Sequence, residues 1–358
     1  MDAMRHHKLH WTIAQVGATG GGAHKFANAV QRELGITMHK QDEMDSLVAG
    51  LQFVLASTAA AASPPSAAAA ASSEQEEEEK AECYTYKNHP TMTETKSDAW
   101  QHWSVKEAVV QQPPPADRSS VLLGDSPQHQ QQQYPYLVVV VGTGVSVLRV
   151  DGPRKYERVS GSTIGGGTFL GLIRVLTDVT EFDDGLRMAE QGDHSKVDMM
   201  VGDIYGDDNY EALEKLGLSA AIVASSFGKV TANRAAAANS ESSTTTAAAT
   251  QIQQEDLARA LLLMITNNIG QVAHLNAKLY KTQRIYFVGN FLRHNTISQQ
   301  KLSFAINYWS QGEMQALFLE HEGYFGALGA FLLSQGISID GAGVRQWRYQ
   351  GAASPPLA

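Results

Sequence analysis

The run Tyr136–Val141, YLVVVV, constrains this chain more than any other stretch. It is continuously apolar and rich in β-branched residues, so it reads as a buried strand. It ends in Gly142-Thr143-Gly144, and a second, mostly apolar run, Val145–Val150, follows at once. The pair therefore reads as two strands, at least one of them buried, joined by a tight glycine turn. Around it lie further patterned blocks. Residues 11–55 read as strand, Gly-rich turn, helix, strand or loop, helix. Residues 134–230 read as the strand pair, a glycine turn and helices. Residues 253–335 read as helix, strand, helix, short strand, helix. Strands alternating with helices predict an α/β fold, and there is no short-period repeat of solenoid type.

Between these blocks the composition changes sharply. Residues from about Ala56 to Lys80, Asn88 to Gln133 and Thr231 to Thr250 are rich in Ala, Ser, Thr, Gln, Pro or Glu. Such segments bury too little apolar surface to offset their ordering entropy, and they read as dispensable surface insertions. The expected organisation is a first block over 1–55, a mostly disordered insertion over 56–133, a second lobe over 134–340 interrupted at 231–250, and a tail over 341–358. With 358 residues the chain has ample core. Its net charge of -9 argues against nucleic acid as a partner. The single cysteine, Cys83, permits no intramolecular disulfide and suits a reducing compartment. No apolar run approaches the ~20 residues a membrane span needs, and Met1–His10 does not read as a signal peptide. Cytosol is the expected location, and a mitochondrial address stays open.

Several glycine-rich segments carry candidate chemistry. Gly142, Thr143 and Gly144 sit at a strand end where successive backbone N–H groups can gather round phosphate oxygens, although Gly-x-Gly also makes a plain hairpin. Gly165, Gly166, Gly167 and Thr168 precede a helix expected over Phe169–Leu176. Glycines there allow a ligand close, and the helix N-terminus favours an anion. Gly17–Ala23 forms a similar loop behind a strand expected over Trp11–Val16. The helix Gln41–Leu55 has a buried stripe of Met44, Leu47, Val48, Leu51, Val54 and Leu55. Glu43 borders that stripe, which predicts a partly desolvated carboxylate suited to a base. Asp42 and Asp45 flank it, and all three acids also suit the helix dipole. Arg158 follows the hairpin region Asp151–Arg154, close to both glycine loops, and suits a carboxylate or phosphate. Glu320, His321 and Glu322 have the wrong spacing for ligands on one helical face, so no metal site is expected there.

Taken together, ATGGGAHKF (Ala18–Phe26), HKQDEMDSLVAGL (His39–Leu51), GTGVSVLRV (Gly142–Val150), YERVSGSTIGGGTFLGL (Tyr156–Leu172), DIYG (Asp203–Gly206), ASSFGK (Ala224–Lys229), TNNIG (Thr266–Gly270), FVGNFLR (Phe287–Arg293) and FLEHEGYFGALGA (Phe318–Ala330) resemble the eukaryotic-type pantothenate kinases, in that family's order. The resemblance implies the acetate kinase/sugar kinase/actin-like (ribonuclease H-like) fold. It implies transfer of the ATP γ-phosphate to the primary hydroxyl of pantothenate, with Mg²⁺, a homodimer and feedback inhibition by acyl-CoA. Glu43 matches the family's catalytic acid. Thr143 stands where the family's Gly-Ser-Gly loop has serine. Arg158 matches an arginine that pairs with pantothenate and the transferred phosphate region. Gly165–Thr168 match the nucleotide-side loop, and Phe227 an adenine-side position.

One departure stands out. The family's first strand carries Asp-Ile-Gly-Gly-Thr, which wraps the ATP phosphates and helps hold Mg²⁺, and nothing in Met1–His10 resembles it. The expectation is an incomplete N-terminal lobe. The alternative function is then a catalytically impaired pseudokinase or regulatory binding protein. A kinase of the same fold acting on an amino sugar is disfavoured by the Glu-Met-Asp helix and by the Glu320–Gly326 block.

Overall fold

The computed structural model describes residues 2–8, 11, 13–61, 83–86, 118–120, 134–206, 220–231, 252–320, 323–340 and 343–346. The YLVVVV run is β5 (Tyr136–Val141), an interior strand of a seven-stranded sheet in the order β4-β3-β11-β10-β5-β6-β7. The other strands are β3 (Cys83–Tyr86), β4 (Arg118–Ser120), β6 (Val145–Gly152), β7 (Lys155–Ser162), β10 (Arg284–Val288) and β11 (Gln315–Leu319). β5 runs parallel to β10, and β10 parallel to β11. β5, β6 and β7 form an antiparallel meander.

The unbroken apolar run follows from burial on both faces of the sheet. On one face Leu137, Val139 and Val141 pack against α4 (Gly166–Leu176), α5 (Phe182–Gln191), α7 (Gln254–Tyr280) and α8 (Thr296–Trp309). On the other, Tyr136 and Val138 meet α3 (Glu43–Ala61) and α9 (Phe325–Ser334). The result is an α/β/α sandwich, the expected α/β class. Of the expected α3 stripe, Leu47, Val48 and Leu51 are buried, with Met44, Val54 and Leu55 half-buried beside them. α3 and α9 cross at glycines: a Cβ on Gly50 would overlap the Phe325 carbonyl, and one on Gly329 the Ser46 carbonyl.

Residues 13–61 hold β1 (Gln15–Thr19), α2 (Gly20–Leu34), β2 (Thr37–Gln41) and α3, with β1 and β2 forming a two-stranded parallel sheet. This follows the expected element order but shifts its bounds. The strand expected over Trp11–Val16 lies at Gln15–Thr19. Gly20–Gly22, read as loop, open α2. Gly17 falls inside the strand because β1 runs against α9, where a side chain would overlap the Ala330 carbonyl. α3 continues to Ala61 rather than ending at Leu55. The segment read as low-complexity over Asn88–Gln133 includes β4, whose Arg118-Ser119-Ser120 pairs with β3. An edge strand needs only backbone bonds and so leaves no apolar signature. Most of the remaining residues of the expected insertions and tail lie outside the described residues, as do His321 and Glu322. Among the described residues no helix is long and apolar enough to cross a membrane.

Candidate active site

Three backbone segments converge where parallel strands β5 and β10 end, the edge at which open α/β sheets bind ligands. The first is the Gly142–Gly144 turn, closed by the Gly142 N–H donating to the Gly144 carbonyl at 2.9 Å. The second is Gly165–Thr168, the start of α4. The Gly166 and Gly167 N–H groups donate to the Gly142 and Thr143 carbonyls at 2.8 and 2.9 Å, and the Thr168 N–H to the Gly165 carbonyl at 3.0 Å. The third is Gly289–Phe291, where the Phe291 N–H reaches the Val141 carbonyl at 3.3 Å.

This packing changes the reason for the glycines. A Cβ on Gly165 would lie 2.8 Å from Gly144 Cα, and one on Gly166 2.8 Å from the Gly142 carbonyl oxygen. The triple glycine is therefore required by the neighbouring turn. The first N–H groups of α4, expected to be open to an anion, already have acceptors in the fold. The Thr168 hydroxyl is likewise engaged, donating to the Thr163 carbonyl at 3.1 Å. What faces outward is the turn itself: Gly142 has open space where a side chain would begin, and Thr143 is exposed.

The acids at the start of α3 separate into different roles. Asp42 is the helix cap, with Oδ1 accepting from the Met44 and Asp45 N–H groups at 2.8 and 3.0 Å. Asp45 Oδ1 accepts the Tyr156 hydroxyl at 2.7 Å. Burial, and then the bond to Asp45, hold the Tyr156 phenol above its usual pKa. Glu43, the first residue of α3, is exposed, and its carboxylate lies against Gly20, where an added Cβ would sit 3.6 Å from Oε2. The expected partial desolvation of Glu43 is thus not found: the residue is exposed beside Gly20.

Local contacts place Glu43 at the same edge as the glycine turns. Gly20 follows Thr19, whose Cγ2 lies 3.4 Å from where a Cβ on Gly326 would be, in the first turn of α9. Gly323, just before α9, sits similarly 3.1 Å from Asn290 Oδ1, in the loop after β10. Arg158 lies in β7 opposite Leu148, which faces α3. Its Nε donates to Ser146 Oγ at 3.3 Å, and its guanidinium covers Gly161 on the way towards the Gly142–Gly144 turn. Glu43, Arg158 and Thr143 are thus gathered at one end of the sheet. Phe227 is held elsewhere. Its N–H donates to Asp198 Oδ1 at 2.9 Å, its backbone is left-handed with φ 59°, and its ring packs on the α4/α7 face.

The sequence reading missed Tyr156 and Gly161. Tyr156 stands two residues before Arg158, and that period-2 spacing puts both on one face of a strand. Gly161 has no such signal, because what it accommodates is a side chain folding back from Arg158.

A model of the family described as Fumble matches residues 1–333. "Pantothenate kinase 1" of Arabidopsis thaliana is 39% identical over 316 residues, 88% of this chain and 65% of that protein. "Pantothenate kinase 2" of the same plant is 38% identical over 325 residues, 91% of this chain and 28% of its own length. "4'-phosphopantetheine phosphatase" of Mus musculus is 35% identical over 358 residues, all of this chain and 35% of that protein. The chain thus spans less than two thirds of each of these relatives. Since the family's model takes in all but the last residue of α9 and every described element before it, this chain belongs to the Fumble family.

Proposed function

We infer that this chain transfers the γ-phosphoryl group of ATP to the primary hydroxyl of pantothenate, giving 4'-phosphopantothenate, the first step of coenzyme A synthesis. The observation that carries this reading is the sorting of the α3 acids. Asp42 and Asp45 are engaged within the fold, whereas Glu43 presents its carboxylate at the glycine-turn edge. Two of the relatives named above are pantothenate kinases, which supports the same reading.

Phosphoryl transfer needs little covalent help from the protein. It needs the nucleophile oriented in line and the charge on the phosphates met. In this reading Glu43 accepts or orients the proton of the attacking hydroxyl. Arg158 binds pantothenate and the transferred phosphate region, and Thr143 supplies a hydroxyl beside them. Gly142–Gly144 faces the nucleotide phosphates, backed by Gly165–Thr168, whose Gly166 and Gly167 N–H groups hold that turn, with Phe227 on the adenine side. Mg²⁺ would arrive with ATP. In such sites it keeps several waters and binds phosphates plus one or two carboxylates. Among the described residues no group of three His, Cys, Asp or Glu side chains could hold a metal ion, so no residue is assigned to it.

A homodimer, inhibition by acyl-CoA and a cytosolic location belong to the same reading. The exposed apolar side chains Val175 on α4 and Leu275 and Leu279 on α7 supply surface that a second copy would cover. The alternative, a regulatory binding protein, is disfavoured by the outward-facing Glu43 and Arg158. The mouse phosphatase is matched over 35% of its length and the second plant kinase over 28%, so the first plant kinase, matched over 65%, is the relative that most supports the reading. The test is incubation of the purified chain with ATP, Mg²⁺ and pantothenate, with phosphopantothenate measured by mass spectrometry. Product formation supports the reading. Pantothenate binding without product would establish the alternative.

A further inference from the structure

Among the described residues, side-chain hydrogen bonds tie α3 to the β6–β7 hairpin at two places. Midway along the helix, buried Gln52 donates from Nε2 to the Gly152 carbonyl at 3.1 Å and accepts the Arg154 N–H on Oε1 at 3.0 Å. In the first turn, Asp45 accepts the Tyr156 hydroxyl at 2.7 Å. The second link lies at the chemically relevant end. Asp45 is two residues from Glu43, and Tyr156 is two residues from Arg158 on the same strand face.

We propose that Tyr156 and Asp45 are a positioning pair for the transfer: their hydrogen bond fixes the first turn of α3, and with it Glu43, against the strand that carries Arg158. The inference rests on the functional reading above. A helix start is where a helix is least constrained, because its first N–H groups lack intrahelical acceptors. Asp42 restrains this one from within by capping. Apolar packing of Met44, Leu47 and Val48 holds the turn on the sheet without directional preference, whereas among the described residues the Tyr156 bond is the directed link from this turn to β7, Gln52 acting further along the helix. Neither residue of the pair needs to touch substrate. A displacement of about 1 Å in such a group can cost on the order of 10²-fold in rate.

The test compares steady-state kinetics of Tyr156→Phe, Asp45→Ala, Asp45→Asn and the Tyr156→Phe/Asp45→Ala double variant, with ATP, Mg²⁺ and pantothenate. The proposal expects Tyr156→Phe and Asp45→Ala each to lower kcat by roughly 10- to 100-fold, with KM for ATP unchanged. The double variant should be no worse than the poorer single one, since both remove the same bond. Asp45→Asn should stay within about threefold of wild type, because its amide oxygen still accepts the phenol. A wild-type rate for Tyr156→Phe overturns the proposal, as do additive losses in the double variant. So does an Asp45→Asn loss equal to that of Asp45→Ala, which would assign the effect to charge. If the wild-type chain itself forms no phosphopantothenate, the functional reading fails instead, and the pair has no reaction to position.

Discussion

At the residue scale, adjacent acids of one type perform different tasks because their surroundings differ. Asp42 satisfies two N–H groups that begin α3, so Asp42→Ala should destabilise the protein by about 1 kcal/mol. Denaturant titration checks this, and an unchanged midpoint would mean that water replaces the cap. Arg158 lies across Gly161, where a Cβ would overlap its guanidinium and approach the Val145 carbonyl oxygen to 2.6 Å. Gly161→Ala should therefore displace the arginine and raise KM for pantothenate, as Arg158→Ala should, with ATP affinity preserved in both. Arg158→Lys should not restore binding, because a point charge on a flexible stem does not reproduce the planar fork. Equal losses of ATP and pantothenate affinity would place Arg158 on the nucleotide instead.

At the element scale, what was legible in the sequence was what depends on period. β5 is buried on both faces as its unbroken run requires, and α3 buries the stripe its spacing indicated. What was not legible depends on neighbours distant in the chain. The glycines at 165–167 looked like room for a ligand, but they make room for the 142–144 turn. Glu43 looked half-buried from its place beside the stripe, but it is exposed beside Gly20. β4 was missed because its polar residues contribute only backbone pairing. The α3–α9 crossing gives a test at this scale. Gly50→Ala or Gly329→Ala would place a methyl inside a facing carbonyl, forcing the helices apart at a cost of roughly 1–3 kcal/mol. Thermal melts should show each variant less stable than Gly21→Ala, whose added Cβ meets nothing within 4 Å. Equal melts would mean that the crossing is looser than described.

At the scale of the whole molecule, the sheet shields its interior from chemistry that the exposed edge permits. Cys83, the chain's one cysteine, is fully buried in β3, and burial pushes its thiol up to about 12. In native protein at neutral pH it should resist a thiol reagent and react only on unfolding; immediate stoichiometric labelling would contradict the packing of β3 into the sheet. The same layering leaves Glu43 outward, at the edge where the glycine turns, Arg158 and Thr143 gather. In the proposed function this carboxylate acts on the substrate hydroxyl and not on the nucleotide. The most direct test of that role is a paired measurement on Glu43→Gln and the wild-type chain, with ATP affinity by calorimetry and phosphopantothenate formation by mass spectrometry. The predicted result is ATP affinity within about twofold of wild type and turnover lower by about 10²–10⁴. A variant that turns over near the wild-type rate would contradict that role.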